Sequence, residues 1–144
     1  MDEKNFTLAE KWFRKAVELR SDFRSALFNL ALLLSEARRP KDALPFLKQL
    51  RQCYENILRY ESNNVQALHN LCVVHVERGL MEEAEACLEK ASALAPSEQY
   101  VTQHLDIVRA RRLQMLKKAS QSKKITSANS DAKQNINKSP NLQT

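Results

Sequence analysis

The sequence is poor in glycine and proline and has no long apolar run. It contains one Gly and four Pro among 144 residues, which disfavours folds with many tight turns, because these two residues supply turn conformations. No stretch reaches the roughly 18 apolar residues of a membrane-spanning helix. The acidic start MDEKNF lacks the apolar segment of a signal peptide. Ala, Leu, Glu, Lys and Arg are abundant and favour helices, so we predict an all-α chain that by itself would be soluble and cytosolic.

Patterns typical of metal binding and catalysis are also missing. Cys53, Cys72 and Cys87 form neither a CxxC pair nor a zinc-site spacing. Each lies in an apolar helical pattern, so we predict small buried side chains; a thiol exposed by missing neighbours is the alternative. The histidines lack the spacing and acidic companions of a metal site; they are His69, His75 and His104. The sequence therefore predicts no catalytic residue, metal, cofactor or small-molecule ligand.

Charge is distributed unevenly along the chain. Residues 1–108 contain 14 Lys or Arg and 16 Asp or Glu, whereas residues 109–144 contain 9 and 1. This split disfavours a uniformly basic nucleic-acid-binding domain. The basic patch consists of Arg109, Arg111, Arg112, Lys117 and Lys118. We interpret it as cations that stabilise a helix C-terminus, with contact to an acidic partner, anionic lipid or nucleic acid as the alternative.

Residues 66–96 have the pattern of two antiparallel helices. Gly79 ends the first helix, since glycine readily adopts the left-handed conformation after a last turn. Ala84, Leu88 and Ala91 line the second helix, and Pro96 closes the unit. This resembles the tetratricopeptide repeat, which has a period of about 34 residues and an A-x3-F…P ending. The equivalent positions upstream are Ala9, Phe13, Ala16, Ala43, Leu47, Tyr54 and Ile57.

The period is broken between two of these equivalent positions. Leu47 and Tyr54 are seven residues apart, where the repeat predicts about 34, so about 27 residues are absent, including a first helix. Seven residues leave an angular drift of only about 20°, so the apolar stripe remains aligned. We predict one long helix from about residue 42 to about 61, with Pro45 in its first turn. The C-terminal half of this helix lacks the first helix that would normally cover it.

These patterns predict a tetratricopeptide-repeat solenoid of antiparallel helix pairs. The segments are an incomplete repeat (second helix only) at 1–23, a repeat with the fused long second helix at 24–64, a complete repeat at 65–98, a capping helix at 99–118 and a disordered basic tail at 119–144. A capping helix is expected because the last repeat would otherwise expose an apolar face.

Three segments carry a more specific resemblance. AEKWFRKAVELRSDFRSALFNLALLLS, NNVQALHNLCVVHVERG and CLEKASALAPSEQYVTQHLDIVRAR resemble the C-terminal array of the transmembrane and tetratricopeptide-repeat proteins of the endoplasmic reticulum. That family consists of O-mannosyltransferases that act on cadherins with dolichyl-phosphate mannose. The resemblance implies an endoplasmic-reticulum parent protein, truncated here and lacking part of a repeat. No catalytic residue carries over, because the membrane-embedded catalytic half has no counterpart here.

The resemblance to this repeat implies a concave groove that receives a polypeptide. Its candidate residues are Phe28, Asn29, Leu32, His69, Asn70 and Val73. Three of them are apolar, which favours a mostly hydrophobic ligand; contact with neighbouring repeats of the parent protein is the alternative. Domains of this kind that bind a C-terminal carboxylate carry a cation at the position that Phe28 and His69 occupy here. The sequence therefore disfavours that type of binding site. Two Asn-x-Ser/Thr glycosylation triplets, at Asn5 and Asn137, fit a lumenal parent.

The sequence therefore predicts a protein–protein interaction module without catalytic residues. Its partners would be a polypeptide or the neighbouring repeats of the parent, with cadherin-type substrates reached through the parent protein. The alternative is a stand-alone repeat adaptor whose basic C-terminal end contacts acidic partners, lipid or nucleic acid.

Overall fold

The computed structural model describes residues 2–136, and the described chain is almost entirely α-helical. The helices are α1 (Glu3–Leu19), α2 (Arg24–Glu36), α3 (Pro40–Tyr60), α4 (Val65–Glu77), α5 (Met81–Leu94) and α6 (Gln99–Ile136). Consecutive helices from α1 to α5 pack against one another along the chain. The predicted all-α repeat solenoid is confirmed.

Residues 2–108 have a core in two parts. The first lies between α1, α2 and α3 and includes Val74 of α4; its fully buried leucines are Leu27, Leu30, Leu34 and Leu50. The second lies between α4, α5 and the start of α6, where Cys72, Ala84, Leu88 and Ala91 are completely buried. Small alanines on either side of Leu88 let the helices approach closely, which is the packing that the repeat pattern predicts.

The predicted fused helix is confirmed as α3, which is continuous from Pro40 to Tyr60. It begins earlier than predicted, so Pro45 lies inside the helix and not in its first turn. A proline there forfeits one backbone hydrogen bond. The last fully buried side chain of α3 is Leu50, whereas Tyr54 and Leu58 are half-buried against the first and the second part of the core. The C-terminal half of α3 is thus covered only in part.

α6 begins at Gln99, where the capping helix was predicted to begin, and three residues of its first part pack on the second part of the core, namely Val101, Leu105 and Val108. The predicted disorder from residue 119 is wrong for residues 119–136, which are helical and exposed. This stretch contains no Gly or Pro, so nothing in it forces a helix to stop, and backbone hydrogen bonds can form without burial. Residues 137–144 lie outside the described chain. Residues 109–136 form a unit of their own.

Cys72 is a small buried side chain as predicted, whereas Cys53 and Cys87 are only half-buried, and the sequence did not predict a disulfide. Cys72 of α4 and Cys87 of α5 are joined by a disulfide, with their Cα atoms 5.4 Å apart. Cys72 takes the small-residue position of the first helix and is completely buried. Because small residues bring the two helix backbones together at this crossing, the second sulfur comes within bonding reach. Cys53 remains free and half-buried.

The helix ends at Gly79 and Arg38 have the same backbone conformation. Gly79 has a φ of 75°, as expected for a helix exit, and Arg38 after α2 has a φ of 59°. A side chain at positive φ is strained, whereas glycine tolerates it. The sequence indicated the first exit through its glycine and gave no signal for the second.

A charge cluster connects α1 to the start of α3. Arg39 donates from Nη1 to Glu10 Oε2 at 2.9 Å and from Nε to Asp42 Oδ2 at 2.8 Å. Arg14 donates to the other oxygen of Glu10 at 3.0 Å. The hydrogen bond from Arg39 lowers the pKa of Glu10 below its ordinary 4.5, and partial burial of the carboxyl opposes this effect.

We expect Glu10→Gln to destabilise the chain at neutral pH and to have less effect in acid. A carboxyl whose pKa is depressed in the folded state stabilises above its unfolded pKa, and that stabilisation is lost as the pH falls through the folded pKa. Urea unfolding of both proteins from neutral pH to below pH 4.5 measures the difference. Glu18→Gln, on an exposed part of the same helix, is the matched control. A difference between Glu10→Gln and wild type that does not change with pH would contradict the prediction.

Candidate polypeptide-binding face

The six predicted groove residues lie on the two first helices, α2 and α4. The face of α2 that carries Leu27 and Leu30 is buried in the core, and so is the face of α4 that carries Leu68 and Cys72. The remaining face of each helix carries the candidates. Five of these are half-buried and Asn29 is exposed; the five are Phe28, Leu32, His69, Asn70 and Val73. All six therefore remain accessible to a ligand.

Three of the six line a common cavity of about 280 Å³: Phe28, Asn70 and Val73. Its other lining residues were not predicted: Arg24 and Ser25 from the start of α2, and Tyr54 from the fused helix α3. We call this cavity the α2–α3–α4 pocket. It combines a cation, a phenol, a hydroxyl and an amide with two apolar side chains.

The polar groups of the pocket interact with one another. The guanidinium carbon of Arg24 lies 5.9 Å from the centre of the Tyr54 ring, within cation–π distance. Burial raises the pKa of the Tyr54 hydroxyl, while Arg24 and a hydrogen bond with the Asn70 side chain act in the opposite direction. The phenol is therefore protonated at neutral pH and can act as a hydrogen-bond donor.

His69 belongs to a different cluster. Its Nε2 lies 3.1 Å from Nδ1 of His104 on α6, and the Tyr100 ring stands edge-on to it with ring centres 5.0 Å apart. Burial lowers the pKa of His69, and the neighbouring His104 adds to the effect. At this distance one of the two ring nitrogens donates a hydrogen bond to the other, and the tautomers decide which one carries the proton. His69 therefore helps to attach the capping helix to α4.

The sequence missed Arg24 and Tyr54 as neighbours of Asn70. Arg24 lies one helical turn before Phe28 on the same side of α2, a signal that the i, i+4 spacing could have provided. Tyr54 was assigned to the repeat pattern of second helices, which normally face away from the groove. Only the extra length of α3 places it beside a residue of α4.

The remaining predicted sites are as follows. Asn5 is exposed on α1, and Asn137 lies outside the described residues. The basic patch lies on α6 in the unit that begins at Arg109, and most of its side chains are exposed. The interpretation of these cations as stabilising a helix C-terminus is wrong, because α6 continues past Lys118 to Ile136. Within residues 2–136, no group of three or more His, Cys, Asp or Glu could hold a metal ion. No helix in the same range is long and apolar enough to cross a bilayer.

Comparison with known proteins supports both the repeat and the resemblance. Residues 65–98 match the family model described as tetratricopeptide repeat. Protein O-mannosyl-transferase Tmtc3 of Drosophila melanogaster is 45% identical over 150 residues, which is 85% of this chain and 16% of that protein. The human protein O-mannosyl-transferase TMTC3 is 41% identical over 137 residues, or 76% and 15% of the two chains. This chain thus spans about one sixth of the length of these relatives.

The fly alignment also bears on the broken period. It spans 150 residues but covers 85% of a 144-residue chain, or about 122 residues. About 28 residues of the fly protein therefore have no counterpart here. This excess is close to the roughly 27 residues that the repeat period predicts to be absent.

Among solved structures, MamA from Desulfovibrio magneticus RS-1 aligns with a TM-score of 0.49 and 20% identity. The alignment covers 89% of this chain and 68% of MamA. The chain described here is a tetratricopeptide-repeat region, and its relatives of 41–49% identity are protein O-mannosyl-transferases of the TMTC3 type.

Proposed function

We propose that this chain is a polypeptide-binding module whose ligand lies in extended form along the face shared by α2 and α4. The observation that carries the proposal is the set of accessible apolar side chains, Phe28, Leu32 and Val73, on first helices of a repeat stack. Asn29 and Asn70 lie on the same two helices, and their side-chain amides can hydrogen-bond to the backbone of an extended ligand. Apolar residues flanked by amides suit a peptide better than a charged polymer.

In a longer parent protein the module would capture a polypeptide for a mannosyltransferase. The relatives are O-mannosyl-transferases by name, and the family resemblance suggests transfer of mannose from dolichyl-phosphate mannose to Ser or Thr of cadherins. The present chain would contribute recognition only. Its basic patch, on an exposed stretch of α6, would remain accessible to solvent.

The disulfide supports a lumenal location for this module. Disulfides persist in oxidising compartments such as the endoplasmic reticulum and are rare in the cytosol. Cys72 and Cys87 join the two helices of the repeat matched by the family model. The exposed position of Asn5 is compatible with glycosylation in the same compartment.

A peptide array tests the proposal with a defined probe. Overlapping synthetic peptides that cover a cadherin extracellular domain are incubated with the full 144-residue chain. The double substitution Asn29→Ala and Leu32→Ser removes one amide and one apolar side chain from the face outside the α2–α3–α4 pocket. We expect it to weaken peptide binding about tenfold or more, because a buried leucine contributes about 1.5–3 kcal/mol.

Leu19→Ser is the matched control, since Leu19 is 80% exposed at the end of α1, away from this face. It should leave binding unchanged. Binding that is equal in the double variant and in wild type, with helix content preserved, would contradict the proposed face.

A further inference from the structure

The helix α6 changes character directly after Val108. Val108 is completely buried and is the last buried side chain of this helix. From Arg109 to Ile136 every side chain is exposed except that of Arg112, which is half-buried, and these residues belong to a unit of their own. Local opening occurs most readily where few apolar contacts are buried. The helix can therefore unwind just beyond the core while the repeats stay folded.

This exposed stretch begins with the sequence RARR, which has arginines at positions 109, 111 and 112. Alternate side chains of an extended chain point to opposite sides. Once unwound, the segment presents Arg109 and Arg111 on one side and Arg112 on the other. A cleft with acidic pockets on both sides is the electrostatic complement of such a segment. Proteases select their substrates through pockets of this kind, and an acidic pocket selects a basic residue before the cleaved bond.

We propose that the peptide bond between Arg112 and Leu113 is a processing site for an endoprotease specific for paired basic residues. Hydrolysis consumes one water molecule: the carbonyl of Arg112 becomes a carboxylate, and Leu113 gains a free α-amino group. Leu113 is 58% exposed, so the residue after the bond is accessible as well. The inference is independent of the proposed polypeptide-binding face.

Cleavage at this bond would separate the repeats from most of the basic segment. The first product, residues 1–112, keeps every side chain that is buried in the described chain. The second product, residues 113–144, carries the remaining lysines. A protease of this class would have to share the lumenal compartment proposed above.

A second arginine pair shows what distinguishes this position. Arg38 and Arg39 are also adjacent, but Glu36 lies three residues before Arg39 and Pro40 follows it. The proline ring restricts the backbone directly after the bond that would be cut, and Arg39 is held in the folded repeats by two carboxylates. Among all basic pairs of the sequence, only the pair at 111–112 has a further cation three residues before its second member.

Digestion of the full 144-residue chain with a recombinant subtilisin-type convertase selective for Arg-x-Arg-Arg tests the inference. Intact-mass measurement should show two products, residues 1–112 and residues 113–144, and N-terminal sequencing of the smaller product should begin at Leu113. The larger product should keep the urea midpoint of the whole chain, because it retains the complete core.

Two variants examine recognition and opening separately. Arg109→Gln removes the third arginine and leaves the pair in place, and it should slow cleavage about tenfold or more, because one charge of the segment then lacks its partner in the protease cleft. Ala110→Gly should accelerate cleavage, because glycine weakens the helix that has to open. Lys118→Gln is the matched control, since it removes an exposed cation of the same helix outside the site. It should leave the rate unchanged.

Three results would overturn the inference. Equal rates for Arg109→Gln and wild type would mean that the third arginine is not recognised. Cleavage at another basic pair at the same rate would mean that the site is not specific, and no cleavage of wild type would mean that it is not a site for this class of protease. Each of these results leaves the peptide-array outcome for Asn29 and Leu32 unchanged, because those residues lie on α2.

Discussion

Replacing both Cys72 and Cys87 by alanine is expected to lower the free energy of unfolding by about 3 kcal/mol, the value for a closed loop of roughly 15 residues. The bonded cysteines are 15 residues apart in sequence and join α4 to α5. Without the bond the unfolded chain regains the freedom that the closed loop removes. Alanine keeps both positions small, so the close approach of the two helices is preserved.

Urea unfolding with and without reductant measures this effect. Reductant should destabilise wild type and have no effect on the double variant, while Cys53→Ala should respond to reductant as wild type does, because Cys53 is not bonded. In a non-reducing digest, the peptides that contain Cys72 and Cys87 should be joined. A wild-type midpoint that is the same with and without reductant would refute the bond.

Leu50→Ala is expected to cost about 2–5 kcal/mol, the range for a buried leucine replaced by alanine. Leu50 is completely buried in the first part of the core and is the last fully buried side chain of α3. Because small domains are stable by only about 5–15 kcal/mol, this change removes a large fraction of the total. It should release α3 from α2 near the point where the two repeats are fused.

Leu44→Ala is the matched control for this prediction. It makes the same chemical change on the same helix, but Leu44 is 36% exposed, so we expect a cost well below that of Leu50→Ala. Thermal and urea unfolding of the two variants give the comparison. Equal costs would mean that α3 is not packed along its first half as described.

The two substitutions affect different parts of the core. Leu50 lies in the part between α1, α2 and α3, and the disulfide lies in the part between α4, α5 and the start of α6. Repeat stacks are stabilised by neighbouring units, so each change should also weaken the part it does not touch. Hydrogen exchange in both variants would measure how strongly the two parts are coupled through α3 and α4, which contribute residues to both.

Much of the fold could be predicted from the spacing of small and apolar residues. Ala84, Leu88 and Ala91 identified the second helix of the complete repeat, and their equivalents upstream located the fused helix to within two residues of its ends. The seven-residue offset was sufficient to predict a continuous helix, because seven residues make almost two full turns. The apolar residues before and after the offset therefore stay on the same side of the helix. The length of α6 was underestimated because the scarcity of apolar residues after Leu116 was interpreted as the end of the helix. Helix propensity does not depend on burial, so a polar segment can remain helical.

The candidate site was less predictable, because it depends on pairs of helices. The sequence placed Phe28, Asn70 and Val73 on first helices, which follows from repeat position alone. It could not place Arg24 beside Tyr54, since that contact arises only when α3 and α2 pack at one particular offset. The disulfide was missed for the same reason. A separation of 15 residues does not by itself bring two cysteines together, and Cys72 and Cys87 meet only because α4 and α5 pack against each other.

The sequence by itself determined the repeat, its broken period and the continuity of α3, because local helical periodicity encodes all three. The tertiary structure decided which side chains meet across helices: the Cys72–Cys87 bond, the His69–His104 pair and the α2–α3–α4 pocket. The physical reason is that helix formation depends on neighbours within about four residues. Contacts between helices depend instead on the offset and distance at which whole elements pack.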